Sequence, residues 1–159
     1  MQTEKKWHTC NCTQQVFSYK EWCEFLENND SKTTVFNFGK YSYNINDVCL
    51  NPDIECSYND KNCEYRIYIA QSKFGWCWGY YCRFIDGGGC SGCHYYKKQE
   101  NWFLTKKEAI TAGLEYLLEM ANKHLNDASK SNKPIVEIVK DTIIKEIANI
   151  KNEQLKLWN

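Results

Sequence analysis

Tyr65-Arg-Ile-Tyr-Ile-Ala-Gln71 and Trp76-Cys-Trp-Gly-Tyr-Tyr-Cys-Arg-Phe-Ile85 are the two runs on which the fold turns. Both alternate in character and are rich in β-branched and aromatic residues, which suit a pleated, half-buried strand. Ser72-Lys-Phe-Gly75 joins them as a turn. Pairing Gln71 with Trp76 across that turn sets Ile69 against Trp78, Ile67 against Tyr80, Tyr65 against Cys82 and Cys63 against Phe84. Side chains of a strand alternate between faces. One face of the hairpin therefore carries Tyr65, Ile67, Ile69, Trp76, Trp78, Tyr80, Cys82 and Phe84, and is expected to pack on a helix. The other carries Arg66, Tyr68, Ala70, Cys77, Gly79, Tyr81 and Arg83.

Downstream, Thr105-Lys-Lys-Glu108 reads as a capping box, in which the Thr hydroxyl and the Glu carboxylate each satisfy an orphan backbone N–H. The helix it starts places Ile110, Leu114, Leu117, Ala121 and Leu125 on one stripe. Pro134 suits the first turn of a last helix, with a predicted stripe of Ile135, Ile138, Val139, Ile143, Ile147 and Ile150. Upstream, Ser18-Tyr-Lys-Glu21 is a second capping box opening a helix over Tyr19 to Glu27. Val35-Phe-Asn-Phe38, Gly39-Lys40 and Tyr41-Ser-Tyr43-Asn-Ile45 read as a short hairpin with a two-residue turn. Residues 46–62 read as a polar loop, and Gly87-Gly-Gly89 is expected to break the second strand and open a loop carrying Cys90, Cys93 and His94. The class is α+β: an antiparallel hairpin or sheet packed on a helix, with an N-terminal helix-hairpin segment (1–50), a central zinc-stabilised ββα unit (51–128) and a C-terminal helix (129–159).

The 159 residues balance 20 Lys+Arg against 20 Asp+Glu, for a formal net charge of zero. Nucleic-acid binding by bulk charge is thereby disfavoured, although a local basic face is not. The opening MQTEKKWHTC has no apolar segment after it, and no run reaches the roughly 20 apolar residues of a membrane span. The expected location is the cytoplasm, where thiols stay reduced. Ten cysteines then point to metal ligation or to burial as small hydrophobes. An antiparallel hairpin brings the start of its first strand beside the end of its second. Cys56 and Cys63 precede the first strand; Cys90-x-x-Cys93, with knuckle spacing, follows the second. These four are the expected ligands of a structural zinc ion at one end of the sheet, with His94 able to replace either upstream cysteine. Cys10-x-Cys12 with Cys49 is a second candidate cluster.

No catalytic constellation emerges. Glu108 is explained by capping, His124 is expected on the exposed side of its helix, and the triple glycine lacks the Lys-Ser/Thr of a phosphate loop. A non-enzymatic protein is expected. Arg66, Tyr68, Tyr81 and Arg83 on one sheet face are the candidate contacts for nucleic acid or for a protein partner, since Arg and Tyr both stack bases and anchor protein interfaces. The isoleucine stripe of the last helix is either buried on the domain or makes a homodimer.

Arg66-Ile-Tyr-Ile-Ala70, Gly75-Trp-Cys-Trp-Gly79, Gly87-Gly-Gly89 and Trp102-Phe-Leu-Thr-Lys-Lys-Glu-Ala109 together resemble a small ββα domain borne by phages, prophages and plasmids. That domain stands alone or is fused to ParB-like or DNA-adenine-methyltransferase modules. The resemblance spans about residues 65–125, carries no catalytic residues, and departs from the usual pattern in its cysteines and in both flanks. It implies an accessory protein of a mobile element that binds a host protein or protein–nucleic acid complex. By analogy, it also implies an anti-defence role such as anti-CRISPR inhibition.

Overall fold

A computed structural model of the chain describes residues 8–9, 16–28, 32, 34–44, 47–85, 87–94, 102–129 and 132–156. In chain order the elements are β1 (His8–Thr9), β2 (Val16–Phe17), α1 (Tyr19–Asn28), β3 (Phe36–Phe38), β4 (Tyr41–Tyr43), β5 (Asp53–Asn59), β6 (Glu64–Ser72), β7 (Gly75–Phe84), β8 (Gly87–Ser91), α2 (Lys106–Asp127) and α3 (Lys133–Lys156). The protein is α+β, with antiparallel sheets and two C-terminal helices. β5-β6-β7-β8 form a four-stranded meander, and β1-β2 and β3-β4 are separate two-stranded ribbons. No helix among the described residues is long and apolar enough to cross a membrane.

The β6–β7 register runs from Glu64 opposite Arg83 to Ser72 opposite Gly75, with Ile67 opposite Tyr80 as the alternation requires. Both predicted capping boxes form. Ser18 N donates to Glu21 Oε2 at 2.8 Å, and Thr105 N donates to Glu108 Oε2 at 2.9 Å. The reciprocal bonds from Glu21 N to Ser18 Oγ and from Glu108 N to Thr105 Oγ1 are also present. The β3–β4 hairpin turns at Gly39, whose φ of 57° is costly for residues with a Cβ.

Two expectations about the sheet are corrected. Residues 53–59, read as loop, form β5 on the free edge of β6, with a register shift between Ile54 and Cys56. The bulged Glu55 reaches out to Lys106 at 2.6 Å. The triple glycine is not a strand breaker either. Gly87 to Ser91 pair with Phe84 to Tyr80 as β8. Composition argued against both strands, and ladder hydrogen bonds to an already formed neighbour overrode it.

α2 lies on the Tyr65-Ile67-Ile69 face and buries Ile110, Leu114, Leu117 and Ala121, as its stripe predicts. Each fully buried leucine or isoleucine contributes about 2 kcal/mol relative to exposure. Gly113 allows a close approach: a Cβ there would stand 3.1 Å from Ile67 Cδ1. α3 packs back on α2 and the same core with Val136, Val139, Ile143 and Ile147. Its stripe is thus one position out of phase with the prediction at its start. Ile138 is 56% exposed, because spacing of three and four from Val139 leads back to Val136. His124 is also not on an open surface: its ring lies 4.7 Å from that of Phe84.

One polar group interrupts this core. Glu146 of α3 faces the Cys56 thiol and the fully buried Tyr65 ring. Glu146 Oε2 and the Tyr65 hydroxyl are both shielded from solvent, and neither completes a well-formed hydrogen bond. Burial holds the Glu146 pKa above its ordinary 4.5, and the Tyr65 and Cys56 contacts offset this only in part. A raised acid favours folding in its protonated form. Its stabilising contribution is full below pH 4.5 and is lost as pH rises through the folded-state value. The carboxylates of Asp53 and Asp60 are shifted the opposite way, so the raw pH profile mixes both signs. Comparison with Glu146→Gln isolates the effect: in urea unfolding the variant should gain stability over wild type as pH climbs from 4.5 to 8. A constant difference across that range would show that Glu146 does not titrate on folding.

Candidate functional site on the outer face of the sheet

The face turned away from α2 and α3 divides into two halves. Over one half, the β3–β4 hairpin packs on Ala70 and Cys77, and Tyr41, Tyr43, Cys49 and Cys93 complete a second buried cluster. Trp22 and Phe25 of α1 pack against it. The path of the chain explains how. Past Ser91 it leaves the sheet edge and crosses directly over Gly79, where a Cβ would lie 2.5 Å from Ser91 O and 2.7 Å from Cys93 N. Cys93 therefore lands beside Cys77, two residues before that glycine on the same face. Cys49 N then donates to Cys93 O at 2.9 Å, and Tyr43 bridges to Cys49. The Tyr43 hydroxyl donates to Gln71 O at 2.9 Å, fastening the hairpin to β6.

The other half carries the predicted contact residues. Arg66 stands opposite Tyr81, and Arg83 opposite Glu64. The Arg66 guanidinium lies over the Tyr81 ring, 5.9 Å from its centroid, and is ion-paired with Glu64. Arg83, Ser57 and Cys90 on this half are exposed, and Ile54 is 55% exposed. Tyr68 shares the face but packs against the covered cluster, so it belongs to the boundary between the halves.

The four cysteines expected to share one zinc ion do not converge. Cys56 is opposite Ile67 and packs, with Cys63, in the core under the helices. Cys90 is opposite Tyr81 and exposed, and Cys93 lies in the cluster on the outer face. The sheet itself separates the two pairs. The expectation failed because β8 continues the sheet where a knuckle loop was assumed. Of the second candidate cluster, Cys49 lies beside Cys93, while Cys10 and Cys12 fall outside the described residues. Among the described residues, no three Cys, His, Asp or Glu side chains are arranged to hold a metal ion as they stand.

Burial governs the thiols. It pushes Cys49 up to about 11, and Cys56 up to about 12 with the Glu146 charge adding. Cys93 is raised first by its hydrogen bond with Cys77 and then by burial. None of these is an activated nucleophile, which needs a depressed pKa.

Sequence reasoning missed two features. One is Glu146, whose position on a helix gave no sign that it would meet the sheet. The other is a cavity of about 320 Å³ at the edge of β7, where the tilted rings of Trp78, Tyr80 and Tyr116 meet beside Ser91 and His94. The Tyr80 and Tyr116 hydroxyls lie 3.4 Å apart across it.

Comparison with protein-family models, with curated proteins and with solved structures finds no match to this chain.

Two measurements probe this geometry. Gly79→Ala should cost about 1–3 kcal/mol in urea unfolding by forcing the 91–93 backbone off the sheet. Gly89→Ala, whose nearest neighbour would be the Tyr80 hydroxyl at 3.2 Å, should cost less; equal costs would deny the crossing. Under native conditions an alkylating reagent read by mass spectrometry should label Cys90 well before Cys63, Cys77, Cys82 or Cys93. Simultaneous labelling of the five would contradict the burial described.

Proposed function

We propose that this chain is a non-enzymatic accessory protein of a phage or other mobile element. It acts by binding a host protein, or a protein–nucleic acid complex, through the uncovered half of the outer sheet face. The observation that carries the reading is the Arg66–Tyr81 pair. A guanidinium rests on an aromatic ring in the middle of a rigid four-stranded sheet, flanked by exposed Arg83 and Ile54. Tyr anchors protein interfaces because it offers large contact area with a polar tip at little rotamer cost, and Arg is enriched at their hot spots through its planar, multiply donating guanidinium. Placement on paired strands pre-organises them, which lowers the entropy lost on binding.

A protein partner is favoured over bare nucleic acid by local charge. Glu64 already neutralises Arg66, and the chain as a whole carries no net charge. Phosphate recognition usually leaves a surplus of cations on the contact face. Assignment of the partner to a host cell, and of the binding to an anti-defence role, is supported only by the resemblance described above.

The test is capture from host lysate on immobilised full-length chain, run beside Tyr81→Ala and Arg66→Ala. A protein retained by wild type and reduced at least tenfold by either variant, with their folding unchanged by circular dichroism, is the expected result; equal retention on all three would overturn the reading. A gel shift with single-stranded and duplex nucleic acid at two salt concentrations runs in parallel. Binding that falls steeply with salt and is lost in Arg66→Ala would make nucleic acid the partner instead.

A further inference from the structure

The covered half of the outer face holds three cysteines that take no part in the proposed partner contact. Cys49, Cys77 and Cys93 are 5%, 1% and 0% exposed. They come from three separate segments: the turn after β4, the start of β7 and the stretch after β8. Backbone geometry, not side-chain chance, joins them. Cys93 is held over Gly79 by the strand crossing, Cys77 precedes that glycine by two residues on the same face, and Cys49 N donates to Cys93 O.

We propose that Cys49, Cys77 and Cys93 form a structural site for a thiophilic divalent cation of the zinc class, pinning the β4 turn and the post-β8 crossing onto β7. The site differs from the quartet expected at the sheet end. It takes Cys93 from that quartet and Cys49 from the second expected cluster, and adds Cys77.

The chemistry runs as an exchange of protons for metal. As they stand, the thiols are turned to hydrogen-bond acceptors. Cys77 Sγ donates to Ala70 O at 3.4 Å, Cys49 Sγ donates to Asn51 Oδ1 at 3.8 Å, and Cys93 hydrogen-bonds with Cys77. In this arrangement the described side chains have no ligating geometry, so metal binding requires each sulfur to turn away from its present acceptor. A thiolate has no proton to donate and gains nothing from facing a carbonyl. Rotation about χ1 redirects each sulfur without moving the backbone. Each of three S–H bonds gives its proton to solvent and each sulfur forms one bond to the cation, at about 2.3 Å for zinc. The charge of the ion offsets the cost of burying the thiolates, which is large when they are unpaired. Three sulfurs leave one position of the tetrahedron for a further donor.

Elemental analysis of the purified full chain should find one zinc ion bound per chain, as a structural site requires. Cobalt(II) exchanged into the protein should give thiolate-to-cobalt charge-transfer absorption. Cys49→Ser, Cys77→Ser and Cys93→Ser should each lose most of the metal and that absorption. Cys56→Ser and Cys90→Ser should keep both, and Cys82→Ser, an equally buried position on the other face, controls for general core damage. Wild-type protein with neither zinc nor a cobalt band overturns the proposal. So does metal lost from Cys56→Ser but retained by Cys77→Ser. Neither outcome bears on the Arg66–Tyr81 contact, which is read by the capture experiment alone.

Discussion

The rest of the structure depends on the pairing of β6 with β7. Nine consecutive residue pairs, from Glu64–Arg83 to Ser72–Gly75, fix which side chains go to which face, because the side-chain period of a strand is two and a slip of one residue would exchange the faces. Tyr65, Ile67 and Ile69 are committed to the helix side by that register, and Arg66, Tyr68 and Ala70 to the opposite side. β5 and β8 then add to the two free edges of this ribbon, α2 and α3 settle on one face, and the β3–β4 hairpin and α1 on the other.

The helix side is a conventional apolar core with one exception. α2 and α3 lie on it with stripes of aliphatic residues, and Gly113 brings α2 close enough to touch Ile67 and Trp78. Glu146 intrudes between Cys56 and Tyr65, where burial raises its pKa above the ordinary carboxyl value. The C-terminal helix is therefore part of the same core through Val136, Val139, Ile143 and Ile147, while Ile138 and Ile144 stay exposed.

The opposite side is where the chain differs from a simple sheet-on-helix arrangement. A small hairpin and α1 cover only half of it. Under the cover lie the thiols of Cys49, Cys77 and Cys93; outside it lie Arg66, Tyr81 and Arg83. One boundary thus separates a buried, chemically soft cluster from an exposed polar-aromatic surface. The covered half holds the sheet's attachments, and the uncovered half carries the proposed contact. Both proposals follow from this division, and they rest on different residues.

Local signals in the amino-acid order were enough for the α+β class, both capping boxes, the β3–β4 turn and the full β6–β7 register. The caps, the turn and the register each depend on residues within about twenty positions of one another. The membership of Arg66, Tyr68, Tyr81 and Arg83 in one face was legible for the same reason. β5 and β8 were not legible: Asp53–Asn59 is polar, Gly87–Ser91 is mostly glycine, and each becomes a strand only because a neighbouring edge offers hydrogen bonds. The grouping of the cysteines was likewise decided by tertiary structure. Cys90-x-x-Cys93 looked like one end of a metal knuckle, but its two sulfurs part company when the chain rises over Gly79. Which thiols become neighbours is a property of the chain's path through space, and spacing along the sequence carries no record of where two distant segments cross.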